Sequence, residues 1–238
     1  MYRKAPCTEQ SSSSPIYGRR FGSVFNQHGV RHHLYADDKQ AYIDVPPQDI
    51  ATARSILTNC IHDITNWCSS RRLQLNNAKT ELIWFGSRHT LQNVNHEDLK
   101  LQLGSTVIEP ARVVRDLGVL LDDELSMKQD ITKVASTRFY QLRRLRQLRC
   151  LLGQEVTVQL VSAFIMSRID YLAGLPHTTL EPLQRVQNAA ARLVLSLNLR
   201  DHVKPGLKQL HWLPIEYRIQ FKLCLLMHHV HLVQLRNT

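Results

Sequence analysis

Alternating runs flank a pair of acids early in the chain: His33, Leu34 and Tyr35 stand before Asp37 and Asp38, and Lys39 through Val45 follow. This pattern predicts a β-hairpin with acid at its bend. In its second arm Ala41, Ile43 and Val45 share one face, and Tyr42 and Asp44 the other. Ahead of it, over 17–28, Phe21, Val24 and Phe25 recur at helical spacing, and Gly29 suits a stop. Behind it Pro46 and Pro47 break the strand. Ile50, Ala53, Ile56, Leu57, Cys60, Ile61, Ile64, Trp67 and Cys68 then follow a 3.6-residue period, one apolar stripe for packing on a sheet.

Asn76 and Asn77 mark a turn, 80–85 reads as a strand and 86–98 as a polar loop. Leu99, Leu101 and Leu103, then Val107 and Ile108, then Val113 and Val114 suggest a small meander bent at Gly104, closed by 117–122. From about Met127 the pattern turns helical, over 128–150 and about 154–171, 180–197 and 214–232. Residues 1–16, with four consecutive serines, Pro6 and Pro15, read as a disordered leader. The expected fold class is α+β: a small antiparallel sheet with a packed helix over 17–123, then an all-helical part over 124–238.

Composition sharpens this only in places. The 238 residues are 43% hydrophobic, enough for a sizeable core. Five cysteines, odd in number and without a CxxC pair, point to reduced thiols in a cytoplasmic or nuclear setting. No run approaches the roughly 18 apolar residues of a membrane span, and the polar first twenty residues hold no signal-type segment. The expectation is a soluble protein without a membrane partner.

The net charge of +10 matters more for where it falls. Over 128–150 stand Lys128, Lys133, Arg138, Arg143, Arg144, Arg146 and Arg149, opposed only by Asp130. Val134, Phe139, Leu142, Leu145 and Leu148 supply an apolar seam, so the basic side should face outward. Such a face is either plainly solvated or a contact for polyanion backbone. His228, His229 and His231 cannot all lie on one helix face and read as ordinary histidines.

The run His33-Leu34-Tyr35-Ala36-Asp37-Asp38-Lys39-Gln40-Ala41-Tyr42-Ile43 resembles the catalytic hairpin of reverse transcriptases. A helix ending at Trp67 follows, then Leu73-Gln74-Leu75, then Asp116-Leu117-Gly118-Val119, then His211-Trp212-Leu213-Pro214. This order is similar to the polymerases of jockey-like, non-LTR retrotransposons over roughly 20–235. The resemblance implies a partial palm followed by a thumb and downstream helices. It implies that Asp37 and Asp38 bind Mg2+, that Lys79 approaches the incoming nucleotide's phosphates as donor or general acid, and that Leu117 and Gly118 support the primer end. It implies an RNA template and DNA primer duplex tracked by the basic helix, and the remainder of a retrotransposon polyprotein as partner.

Two departures qualify the activity. Polymerase chemistry uses two metal ions roughly 3.5 to 4 Å apart, and the family takes a further aspartate from an upstream strand. Before Asp37 this sequence has only Glu9 as an acid, and no PQGS-like nucleotide-pocket segment. The expectation is the polymerase's second half, inactive alone. Around 169–176 the chain also looks shortened relative to the family. The alternatives are a non-catalytic nucleic-acid-binding remnant and a helical interaction module built from 127–235.

Overall fold

The structure, a computed structural model, describes residues 2–8, 15–35, 38–76, 79–104, 106–169, 174–198 and 200–236. It is α+β, and it divides between Ser126 and Met127 into two compact units.

In the first unit β1 (Tyr2–Thr8), β2 (Arg31–Tyr35), β3 (Asp38–Tyr42), β4 (Gln74–Leu75) and β5 (Glu81–Ile83) form one antiparallel sheet. β1 runs through its middle. β3 pairs along one side of it, Pro6 opposite Asp38 and Tyr2 opposite Tyr42, while β5 and β4 pair along the other. The leader expected over 1–16 is thus a strand over its first residues, and helix α1 (Pro15–Gln27) already begins at Pro15. The physical reason lies in the neighbours. Without β1 the inner edges of β3 and β5 would leave backbone donors and acceptors unpaired beside buried Ala41, Leu82 and Ile83. The serine-rich composition that suggested disorder belongs to 11–14, outside the described residues.

Helix α1 and helix α2 (Ile50–Ser69) cover one face of this sheet. Phe21, Val24 and Phe25 from α1 meet Leu57, Cys60, Ile61, Ile64 and Cys68 from α2, over Ala41 and Leu82. Phe21 sits edge-on to Phe25 at 5.4 Å and to Trp67 at 5.1 Å. Full burial of one such aliphatic or aromatic side chain stabilises by about 1.5 to 3 kcal/mol, so the stripe read from the sequence is sufficient to fix α2. α1 comes so close to β2 that a Cβ on Gly22 would stand 2.8 Å from the His32 ring.

The expected meander is two separate hairpins, β6 (Leu101–Leu103) with β7 (Thr106–Ile108), and β8 (Val113–Asp116) with β9 (Val119–Asp122). The cause is the link between them. Ala111 donates its N–H to the Leu82 carbonyl at 2.7 Å and Pro110 bridges to Leu82, which draws the chain back to β5. Ile83 then packs on Val114, away from the face that Leu82 turns to the helices. The expected loop at 86–98 contains a short helix, α3 (Arg88–Gln92), capped by Ser87.

The second unit is helical: α4 (Lys128–Leu148), α5 (Gln154–Phe164), α6 (His177–Leu195), α7 (Val203–Gln209) and α8 (Ile215–Arg236). α6 is its hub, with Leu183, Val186, Ala190 and Val194 fully enclosed among Ile131, Leu142, Val161, Ile165 and Ile215. α7 falls between the helices expected over 180–197 and 214–232, where no helix was expected. Here the glycine provides closeness: a Cβ on Gly206 would meet Leu195 at 2.9 Å. α5 stops seven residues short of the expected 171, and the shortened segment lies largely at 170–173, outside the described residues. No helix among the described residues is long and apolar enough to cross a membrane.

Candidate active site and nucleic-acid interface

The acidic hairpin forms, with Tyr35 paired to Asp38 and His33 to Gln40. Ala36 and Asp37, which join its arms, lie outside the described residues, so the expectation for Asp37 does too. The strand period gives β3 two unlike faces. Lys39 and Ala41 turn to the helices, the Lys39 ammonium standing 5.4 Å from the Phe21 ring centre, while His32 beside them stacks on Phe25 at 4.8 Å. Asp38, Gln40 and Tyr42 take the opposite face. There Tyr42 stacks on His33 and lies under the Arg31 guanidinium, which also pairs with Asp44.

A second carboxylate reaches this face, one the sequence reasoning missed. Gln40, mostly buried, donates its side-chain amide to Asp116 at 2.6 Å. Asp116 is the last residue of β8, and the two-residue turn after it is Leu117 and Gly118, with φ of 43° and 93°. Both central residues are left-handed, as tight hairpins with the native twist require. Gly118 suits this geometry. Leu117 does not, and it is about half exposed. The available signal was an acid one residue before a Leu-Gly turn.

Lys79 is exposed, and its N–H donates to the Asn76 carbonyl. It leads into β5, so β1 lies between its strand and that of Asp38, two strand spacings or roughly 10 Å. β1 brings Pro6 opposite Asp38, and Tyr2–Thr8 contains no acid. Among the described residues no group of three or more His, Cys, Asp or Glu side chains is placed to hold a metal ion. The described donor set, which leaves out Asp37, therefore supplies fewer carboxylate oxygens than two hard cations beside polyphosphate need.

On α4 the seven basic residues separate into two groups. Lys128, Lys133, Arg143, Arg144 and Arg146 are exposed. Arg138 and Arg149 are half-buried and engaged internally, which sets them apart from those five. Arg138 donates to the Gln141 side chain at 2.7 Å and to the Phe164 carbonyl at 2.8 Å. Arg149 donates to the Val194 carbonyl at 3.3 Å and to the Ser196 hydroxyl, fastening the end of α4 to the end of α6. Asp130, the helix's one acid, is buried and leaves the outer face basic. Tyr140 stands on that face, about half exposed, with the Arg144 guanidinium 5.9 Å from its ring centre.

No family model, curated protein or solved structure matches the chain. The geometry is therefore what bears on function: a lone described carboxylate at a hairpin bend, a second held nearby by Gln40, and a separate helix with five exposed cations.

Proposed function

We propose that this chain is part of an RNA-directed DNA polymerase of a non-LTR retrotransposon, comprising late palm, thumb and downstream helices. By itself it holds nucleic-acid backbone and does not polymerise. The observation that supports the reading most directly is the hairpin of Asp38, whose outer arm β2 is an edge of the helix-covered sheet and whose inner arm β3 lies beside a strand, β1, that offers no acid. In this reading Mg2+ belongs to the whole polymerase, where the Asp37 and Asp38 pair supplies part of the ligand set. The exposed cations of α4 meet the phosphates of a template and primer duplex. Such contacts position a duplex and carry no sequence information.

The test uses an RNA–DNA duplex, fluorescence anisotropy and a salt series. The expected result is binding that falls with salt, each phosphate contact contributing a log–log slope of about 0.9. Together Lys133→Glu, Arg143→Glu and Arg144→Glu weaken it at least about 10-fold and flatten that slope, whereas Asp37→Asn with Asp38→Asn leaves it unchanged. Absence of duplex binding overturns the proposal, and so does primer extension by the isolated chain with Mg2+ or Mn2+.

A further inference from the structure

The outer side of α4 ends in a residue that phosphate contact does not explain. Lys133, Thr137, Tyr140, Arg144 and Gln147 follow one another at spacings of four and three, so they line one side of the helix, and all are exposed. From Lys133 to Gln147 the line runs about 21 Å, the length of roughly six stacked base steps. The next position at that spacing is Leu151, in the turn after the helix. It is 83% exposed, more than any other large apolar side chain among the described residues. Leu148, which borders the line four residues beyond Arg144, is about half exposed.

The turn that carries Leu151 is held from both sides. The Leu151 N–H donates to the Leu148 carbonyl at 2.9 Å, and that of Leu152 to the Arg149 carbonyl at 3.2 Å. Arg149 ties the same turn to the end of α6. Beyond it the buried Thr157 donates its hydroxyl to the Gly153 carbonyl at 3.0 Å, closing the first turn of α5.

Charge identifies the partner. From Ile131 to Gln154 there is no Asp or Glu, so the surface leading to this tip complements a polyanion. A lipid surface is met by an apolar helix face with cations on the other side. The apolar face of α4 is instead taken up by the core of its own unit, and its outer line is cations, a hydroxyl, a phenol and an amide that lead to one leucine. Proteins that hold backbone phosphates and carry an apolar side chain beside them use it as a wedge. The side chain enters from the minor groove, unstacks a base step and bends the duplex.

We propose that Leu151 is such a wedge, opening one base step of a duplex whose phosphates lie along Lys133, Arg143 and Arg144. This role rests on the duplex binding proposed above.

Anisotropy competition compares an intact RNA–DNA duplex with the same duplex carrying one mismatched pair, whose step is easier to open. The full chain should prefer the mismatched duplex at least about 5-fold. It should also bend the intact one, read as increased energy transfer between fluorophores at its two ends. Leu151→Ala should abolish the preference and the bend while salt-sensitive duplex binding persists, and Leu151→Met should retain all three. The side chain is exposed, so the circular dichroism spectrum of either variant should match the parent. Duplex binding without preference or bend, or with both indifferent to Leu151→Ala, overturns the wedge and leaves the duplex reading standing. Absence of duplex binding overturns both. Binding to phosphatidylserine vesicles that Leu151→Ala abolishes, with duplex behaviour unchanged by that substitution, also overturns the wedge and assigns the tip to a lipid surface.

Discussion

The side-chain amide of Gln187, which has no exposed surface, donates a 2.8 Å hydrogen bond to the carbonyl of Leu213. One turn earlier on α6, the Gln184 carbonyl oxygen accepts the N–H of Ile215 at 2.9 Å, and the Gln184 amide donates to Gln187 at 2.9 Å. These two glutamines hold His211-Trp212-Leu213-Pro214 and satisfy an otherwise orphan donor at the start of α8. Trp212 packs partly buried against the cluster of Val203 and Leu207, an anchor in the fold. Gln187→Leu leaves the Leu213 carbonyl and the Gln184 amide without this partner. It should destabilise the second unit by about 1 to 3 kcal/mol, read by urea unfolding of the full chain. An unchanged midpoint would mean that the network adds nothing to stability.

The turn between β8 and β9 gives a prediction of opposite sign. Leu117 is held left-handed at φ 43°, which costs a residue with a Cβ roughly 1 kcal/mol. Leu117→Asn or Leu117→Gly should therefore raise the melting temperature, while Gly118→Ala, at φ 93°, should lower stability by about 1 kcal/mol or more. Thermal unfolding separates the outcomes. A destabilised Leu117→Asn would show that the leucine's contacts outweigh its backbone strain.

Arg149 and Arg144 lie on one helix, yet should behave differently. Arg149→Met removes donors from Val194 and Ser196 and should cost about 1 to 2 kcal/mol. Arg144→Met should remain within about 0.5 kcal/mol of the parent. Duplex affinity should rank them the other way, with Arg144→Met the weaker binder. Equal loss of affinity in both, at equal stability, would restore Arg149 to the binding face.

Strand β1 makes truncation informative. Removing residues 1–8 uncovers the paired edges of β3 and β5 at once, so the first unit should lose cooperative unfolding and the shortened chain should aggregate. Hydrogen exchange on the full chain gives the complementary readout, with slow amides expected in β3 and β5. A truncated chain that stays monomeric with the parent's melting curve would return these residues to the status of a leader.

Lys100 bonds Glu97 at 2.6 Å and Glu109 at 3.2 Å. The hydrogen bond from Lys100, and then its charge, hold the Glu97 carboxyl below its ordinary 4.5, while the bonds to Glu97 and Glu109 raise Lys100 above 10.5. The carboxylate's contribution to stability is present above pH 4.5 and disappears as pH falls through the lowered value. That of the ammonium is present below pH 10.5 and disappears as pH rises through the raised one. Both glutamates are exposed and Lys100 is half-buried at the surface, so the effect on stability is small. Carbon-13 NMR titration should show Glu97 moving back toward 4.5 in Lys100→Met; no movement would remove the pairing in solution.

The period from Ile50 to Cys68 was legible because a helix on a sheet writes its buried face into the sequence at every turn. The hairpin was legible for the same reason at period two. β1 was not, because its place follows from the unpaired edges of two other strands more than from its own residues. α7 has seven residues, too few to write a helical period, and its Gly206 is placed by a close approach to Leu195 that no local pattern shows. Charge on α4 could be counted, but which guanidinium groups turn inward depends on carbonyls at Phe164 and Val194, far along the chain. Gln40 and Asp116 likewise meet across 76 positions that share no local pattern.

The two unlike faces of β3 also set which insertions and deletions a descendant of this gene can carry. One codon gained or lost between Asp38 and Tyr42 exchanges the faces, sending a carboxylate under α1 and turning Ala41 to the side on which Gln40 meets Asp116. Two codons restore the parity. The hairpin should therefore drift in even steps of length, and an odd step would mark a copy in which the sheet no longer folds.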